Sequence, residues 1–146
     1  MERINATTVA IEGHGVMLRG PSGAGKSDLA LRLISSGAHL VADDFTDIEV
    51  LDDRLIASAP PTIVGLLEVR GLGVLRITPV STATLAVCID LVPLDRVDRM
   101  PLAQVTALGQ TGLTVPLFRL SPFEASVAAK VRLAVQLCTG TILRAI

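Results

Sequence analysis

The stretch Gly20-Pro21-Ser22-Gly23-Ala24-Gly25-Lys26-Ser27 decides how the rest of the chain is read. It matches the pattern G-x-x-x-x-G-K-[ST] in full. Glycines let a backbone curl so that successive N–H groups point inward, and a helix beginning near Lys26 adds its positive end to the same hollow. Phosphate oxygens suit that hollow: Lys26 can reach the β- and γ-phosphates of a nucleotide, and the Ser27 hydroxyl can ligate Mg²⁺. By accident the pattern arises in roughly one chain of this length in two hundred. Its flanks agree with the chemistry. Residues 7–11 and 16–18 read as strands around the turn Glu12-Gly13-His14-Gly15. After the motif, Leu29, Ala30, Leu33 and Ile34 recur at helical spacing until Gly37 stops the helix.

Outward from there, Leu40-Val41-Ala42 reads as a short buried strand delivering Asp43-Asp44 at its end. Residues 48–51, the turn Asp52-Asp53 and residues 54–57 read as a hairpin. Strands are also expected at 66–69, 74–77 and 85–89, and irregular structure over 93–112, where Pro93, Pro101, Gly109 and Gly112 fall. A last helix is expected with Ser121 as its cap, Pro122 as its first residue and Glu124 closing a capping box. Its stripe of Phe123, Val127, Val131 and Val135 should pack on the sheet, and Gly140 should end it. With no repeat and no clear linker, residues 1–146 read as a single α/β domain, a P-loop nucleotide-binding β-sheet with flanking helices.

A phosphate loop alone does not complete phosphoryl transfer, which also asks for oxygen ligands on Mg²⁺ and a base on the acceptor hydroxyl. Adjacent carboxylates on an extended chain face opposite ways, so one of Asp43 and Asp44 could meet the metal and the other an acceptor; a solvated pair opening a loop has the same spacing. Glu68 and Arg70 share one face of an extended segment before Gly71-Leu72-Gly73, as a metal and phosphate environment or a surface ion pair would require. His14 and His39 read as structural or surface residues, and Cys88 and Cys138, without metal spacing, as small apolar side chains.

Composition narrows the function classes. Half the residues are apolar and 18% are charged, enough for a real core. A net charge of −1, three Phe and no Tyr or Trp argue against nucleic acid and anionic membranes as partners. No uninterrupted apolar run is long enough to cross a bilayer and the first residues lack a signal-peptide core, so a cytoplasmic protein is expected.

Three segments together, Gly20–Ser27, Leu40-Val41-Ala42-Asp43-Asp44 and Leu67-Glu68-Val69-Arg70-Gly71-Leu72-Gly73, resemble HPr kinase/phosphorylase in order and spacing. The resemblance runs from about Asn5 to the final helix and is to the short alphaproteobacterial form, the catalytic domain alone. It implies a core similar to that of phosphoenolpyruvate carboxykinases, and an ATP- and Mg²⁺-dependent serine kinase acting on HPr or an HPr-like phosphocarrier of the phosphotransferase system. It further implies ATP held by Gly20, Pro21, Ser22, Gly23, Ala24, Gly25, Lys26 and Ser27, with Lys26 on the phosphates. Ser27, Glu68 and Asp43 would associate with the metal, Asp44 would act as the base, Arg70 would be catalytic, and the chain would assemble as a hexamer.

Two positions depart from the family pattern. Asn5 stands where the family carries a catalytic histidine, and Ser121 where it carries a catalytic arginine, with Arg119 two residues away. Asn cannot change charge near neutral pH as His does. Both departures weigh against the reverse, phosphorylase direction; neither touches ATP or Mg²⁺ binding. A non-catalytic ATP-binding regulator and a P-loop small-molecule kinase are the competing readings. Retention of Asp44 argues against the first, and the Glu68–Gly73 segment against the second.

Overall fold

The computed structural model describes residues 1–146. Its centre is β9 (Thr82–Leu91), whose run of Val87, Cys88 and Ile89 is wholly buried. Along one side of β9 lies β3 (His14–Arg19), parallel to it, followed by β2 (Thr7–Ile11) and β4 (His39–Ala42), both antiparallel to their neighbours. Along the other side, β6 (Arg54–Ser58) pairs the first residues of β9 and β11 (Thr114–Leu120) pairs the last. Beyond β6 come β5 (Phe45–Leu51) and β1 (Glu2–Asn5), and beyond β11 comes β10 (Gln104–Ala107). Only the β3–β9 and β9–β11 pairs are parallel, so the sheet is mixed and mostly antiparallel. A separate two-stranded ribbon, β7 (Leu66–Val69) with β8 (Gly73–Arg76), packs over the α1 side.

The sheet divides the core in two by the alternation of its strands. Val16, Leu18, Val87 and Ile89 face two helices, α1 (Lys26–Ser35) and α2 (Val127–Thr139), through Leu29, Leu33, Val131 and Val135. Met17, Leu85 and Cys88 point the other way, into a second cluster where the sheet curls so that Ile48, Leu55 and Leu117 close over them. The α/β class is as the sequence predicts, and so is the burial of Val127, Val131 and Val135 on the last helix.

α1 ends as its sequence dictates. Gly37 takes φ +111, its N–H reaching the Ile34 carbonyl at 3.1 Å, and the Ala38 N–H reaches Leu33 at 3.0 Å. This is a Schellman ending, and Arg132 of α2 adds further donors to the Leu33 and Ser36 carbonyls. The hairpin at Asp52-Asp53 is also as expected, with both residues at positive φ, as a two-residue primed turn requires.

Three expectations are corrected. His14 is the first residue of β3; the turn before it is the pair Glu12-Gly13, both at positive φ. The segment 93–112 is not wholly irregular, since β10 forms within it, and β1 and β11 add strands not anticipated from sequence. The last helix begins at Val127 with Ser126 at its cap. Ser121 is buried before it, the Pro122 carbonyl is taken by Arg32, and Glu124 pairs with Lys130 instead of closing a capping box. Phe123 therefore leaves the apolar stripe and is exposed.

The Asp52-Asp53 turn yields the first prediction. Glycine meets no Cβ penalty at positive φ. Asp53→Gly should stabilise the protein by about 1 kcal/mol, read as a higher urea midpoint at unchanged slope. A lower midpoint would mean the turn is not held in the left-handed region in solution.

Candidate functional site

The phosphate-loop segment lies between β3 and α1, after the strand and before the helix that the motif demands. Gly23 and Gly25 take φ +82 and +95, open to glycine and costly to other residues, and Gly25 is the residue from which α1 starts. Gly20 is needed for a different reason: a Cβ there would stand 2.9 Å from that of Ala24. The Lys26 ammonium lies within the loop, donating to the Gly20 carbonyl at 2.6 Å and the Pro21 carbonyl at 3.2 Å. Upstream, Arg19 makes a bidentate pair with Asp90 at 2.7 and 3.0 Å, clamping the end of β3 to the end of β9 where the loop departs. The Asp90 hydrogen bonds raise the Arg19 pKa further above its ordinary value, against the opposing effect of burial.

The two aspartates after β4 have different surroundings. Asp43 is 7% exposed and accepts three hydrogen bonds. Ser27 Oγ donates to its Oδ1 at 2.7 Å, Thr7 Oγ1 to the same oxygen at 3.0 Å, and the Glu68 backbone N–H to Oδ2 at 3.1 Å. Asp44 is exposed and stands at φ +67. The Phe45 N–H returns to the Asp43 carbonyl at 2.7 Å, closing a three-residue γ-turn of the rare positive-φ kind around Asp44. The Asp44 N–H is held by Thr7 Oγ1 at 3.0 Å. Thr7 is wholly buried and serves both aspartates with one hydroxyl, donating to one and accepting from the other. Sequence reasoning passed over it; its signal was a hydroxyl pair, Thr7-Thr8, opening an otherwise apolar strand.

A cavity of about 510 Å³ lies over this arrangement. Lys26, Ser27 and Asp44 line it together with Glu68 of β7 and Arg70 just after it, and exposed Phe123 lines it beside Gly25 of the loop. The structure thus brings together the residues singled out in the phosphate loop, the acidic pair and the second glycine-containing segment. Two family positions fall outside the lining. Ser121 is buried, and Asn5 ends β1, exposed and paired in register with Phe45. Arg119 is exposed and directed at the Gln104 side chain.

A magnesium ion asks for hard oxygen ligands and usually keeps water and substrate phosphates in its shell, taking only one or two protein groups. No cluster of three or more His, Cys, Asp or Glu side chains is assembled here, as a full protein cage would need. The hydroxyl–carboxylate pair Ser27–Asp43, next to a phosphate-sized hollow and the Glu68 side chain, fits Mg²⁺ in its phosphate-shared mode.

The model of the HPr serine kinase C-terminal domain matches residues 1–104. The chain belongs to that family. HPr kinase/phosphorylase of Clostridium beijerinckii is 46% identical over 76 residues, 52% of this chain and 25% of that protein. HPr kinase/phosphorylase 1 of Oceanobacillus iheyensis is 49% identical over 75 residues, 51% of this chain and 24% of that protein. The matches thus span about a quarter of the length of these curated relatives. The Hpr(Ser) kinase/phosphatase structure from Coxiella burnetii superposes with a TM-score of 0.82 at 25% identity, covering 97% of this chain and 94% of that one. The HPr kinase C-terminal fold therefore extends past residue 104 to the last helix. No helix is long and apolar enough to cross a membrane.

The thiol of Cys88, beside the Arg19–Asp90 pair, is wholly buried. Burial pushes Cys88 up to about 12, and burial also raises half-buried Cys138. A thiol reagent at pH 8 should therefore modify Cys138 first and Cys88 only on unfolding, as counted by intact mass. The unfolded thiol loses its proton near 9.0 and the folded one near 12, so Cys88 should make stability fall as pH rises through that interval. Rapid labelling of Cys88 in the native protein would contradict its placement in the core.

Proposed function

We propose that residues 1–146 form one catalytic domain of an ATP- and Mg²⁺-dependent serine kinase whose acceptor is HPr or an HPr-like phosphocarrier. The observation that carries this reading is the Ser27–Asp43 bond, which ties the phosphate loop to the acidic pair and leaves Asp44 facing the cavity. The backbone of residues 20–27 would cradle the phosphates, and Lys26 would exchange its loop carbonyls for phosphate oxygens. Ser27, Asp43 and Glu68 would hold Mg²⁺, which when bound offsets charge on the phosphates.

Asp44 accepts the proton of the carrier serine as the serine oxygen forms its bond to the γ-phosphorus. The bond from that phosphorus to the β–γ bridging oxygen breaks, and ADP leaves. Arg70 lines the same cavity, where its guanidinium can pair with oxygens of the transferring group. A carboxylate used as a base profits from solvent-side exposure and freedom from internal donors. Asp44 has both, and Asp43 has neither. The net charge of −1 favours a protein acceptor over nucleic acid or an anionic membrane, in the cytoplasm. Family resemblance supports assembly as a hexamer. Asn5 and Ser121 favour the forward direction over phosphorolysis.

The test is phosphoryl transfer from ATP to HPr-like carriers, followed by intact mass. One added phosphate on a carrier serine is expected. Asp44→Asn should slow transfer roughly 10²- to 10⁴-fold while ATP still binds, the usual worth of a positioned base. Lys26→Ala should abolish nucleotide binding. ATP binding without transfer to any carrier would favour the regulator reading, which Asn5 already suggests. Loss of ATP affinity in Asp44→Asn would make that residue a metal ligand and overturn the division of roles.

A further inference from the structure

The chain has three phenylalanines and no other aromatic residue except histidine. Phe118 lies half-buried, with the Arg144 guanidinium 5.9 Å from its ring centre, and Phe45 is on β5. Phe123 differs from both. It is 77% exposed, yet it lines the cavity over the phosphate loop. A Cβ built on Gly25 would stand 3.6 Å from its ring edge, so the ring sits against the last glycine of the loop.

The residues on both sides of Phe123 are also anchored. Pro122 is buried, and its carbonyl accepts a 2.5 Å hydrogen bond from Arg32 of α1, the helix that opens at the loop. Arg32 Nε also lies 3.2 Å from the Asp28 carboxylate, an ion-pair distance off the hydrogen-bond direction. On the other side, Glu124 pairs with Lys130 at 3.0 Å. An exposed apolar ring gains nothing from the fold while it faces water. The other apolar residues of the cavity, Leu31 and Val69, are aliphatic, so Phe123 supplies its only π-face.

We propose that Phe123 is the platform on which the nucleobase of the bound nucleotide stacks. The inference rests on the nucleotide-binding reading given above and adds the base subsite to it. A triphosphate in the loop fills only part of the cavity, and the remainder opens at its rim beside the ring. A stack recognises a π-face rather than a hydrogen-bond pattern, so the subsite takes a nucleobase as a class, purines most strongly because their larger rings overlap more of the platform.

The experiment compares the full chain's affinity for Mg²⁺-ATP with that for Mg²⁺-tripolyphosphate, which has the phosphates and no base. Phe123→Ala should weaken ATP roughly 5- to 150-fold, the value of one base–aromatic stack, and leave tripolyphosphate unchanged. Phe123→Trp should restore ATP affinity. As the chain's sole tryptophan, its fluorescence should respond to ATP and not to tripolyphosphate. The native melting temperature of Phe123→Ala checks that an exposed ring was removed without unfolding. Equal loss for both ligands, or no loss for ATP, would overturn the stacking assignment alone. A loss confined to KM for the carrier protein would overturn it in favour of a protein contact. Failure of the unaltered chain to bind either ligand would remove the phosphate-loop reading as well.

Discussion

The rest of the site depends on one carboxylate. Asp43 accepts hydrogen bonds from α1, from β2 and from β7, so three segments far apart in sequence converge on two oxygens. Hydrogen bonds to an ionised acceptor contribute about 1.5–3 kcal/mol each, and a donor left without a partner in a buried place costs a similar amount. The convergence therefore acts in both directions. Moving the phosphate-loop helix would strand Ser27, and moving the β7–β8 ribbon would strand the Glu68 N–H. The loop, the acidic turn and the ribbon are fixed relative to one another by the same group.

That convergence also explains how a strained residue persists next to it. A non-glycine residue at positive φ in a γ-turn is held only where its neighbours over-determine it. The Asp44 N–H is taken by Thr7 Oγ1, and the turn is closed by Phe45. Thr7 is in turn fixed by its bond to Asp43, so the buried carboxylate and the exposed one are coupled through a single hydroxyl. Two identical side chains adjacent in sequence acquire opposite surroundings through their tertiary neighbours alone. One is saturated and immobile; the other is bare and aimed at the cavity.

Much of this was legible in the sequence, and the reasons are local. The phosphate loop is a backbone device written in glycines, and α1 is delimited by Gly25 and Gly37, where positive φ leaves little choice. The Asp52-Asp53 hairpin is legible for the same reason. What escaped depends on tertiary partners. β1 is four residues long and belongs to the sheet only through its pairing with β5 and the Arg3–Asp47 ion pair. β11 carries Pro116, ordinarily a strand breaker, but its pairing with β9 starts only at Leu117. Pro116 thus lies where β10 is the bonded neighbour and a missing N–H is tolerated. The false start of α2 at Ser121 was a sound local pattern defeated by Arg32, which claims the Pro122 carbonyl. In the site, Asp43 and Asp44 were visible as a pair, but the division between them was not, because it is made by Thr7 and Glu68 from other strands.

At the site the buried polar groups are bonded within the protein, and the exposed ones line the cavity. Thr7, Asp43 and Lys26 are buried and bonded within the protein, whereas Asp44, Glu68, Arg70 and Phe123 are exposed around the opening. Thr7 and Asp43 are held by bonds to other segments of the protein, whereas the Lys26 ammonium, held only by two loop carbonyls, and the exposed groups around the opening are free to change partner. Helices on one face of the sheet alone make this possible. The opposite face seals itself by curling, so stability does not have to be drawn from the edge where the loop, the turn and the ribbon meet. That edge is free to carry open glycines, a strained aspartate and an exposed aromatic ring, each unfavourable for folding by itself and each placed on or beside the same cavity.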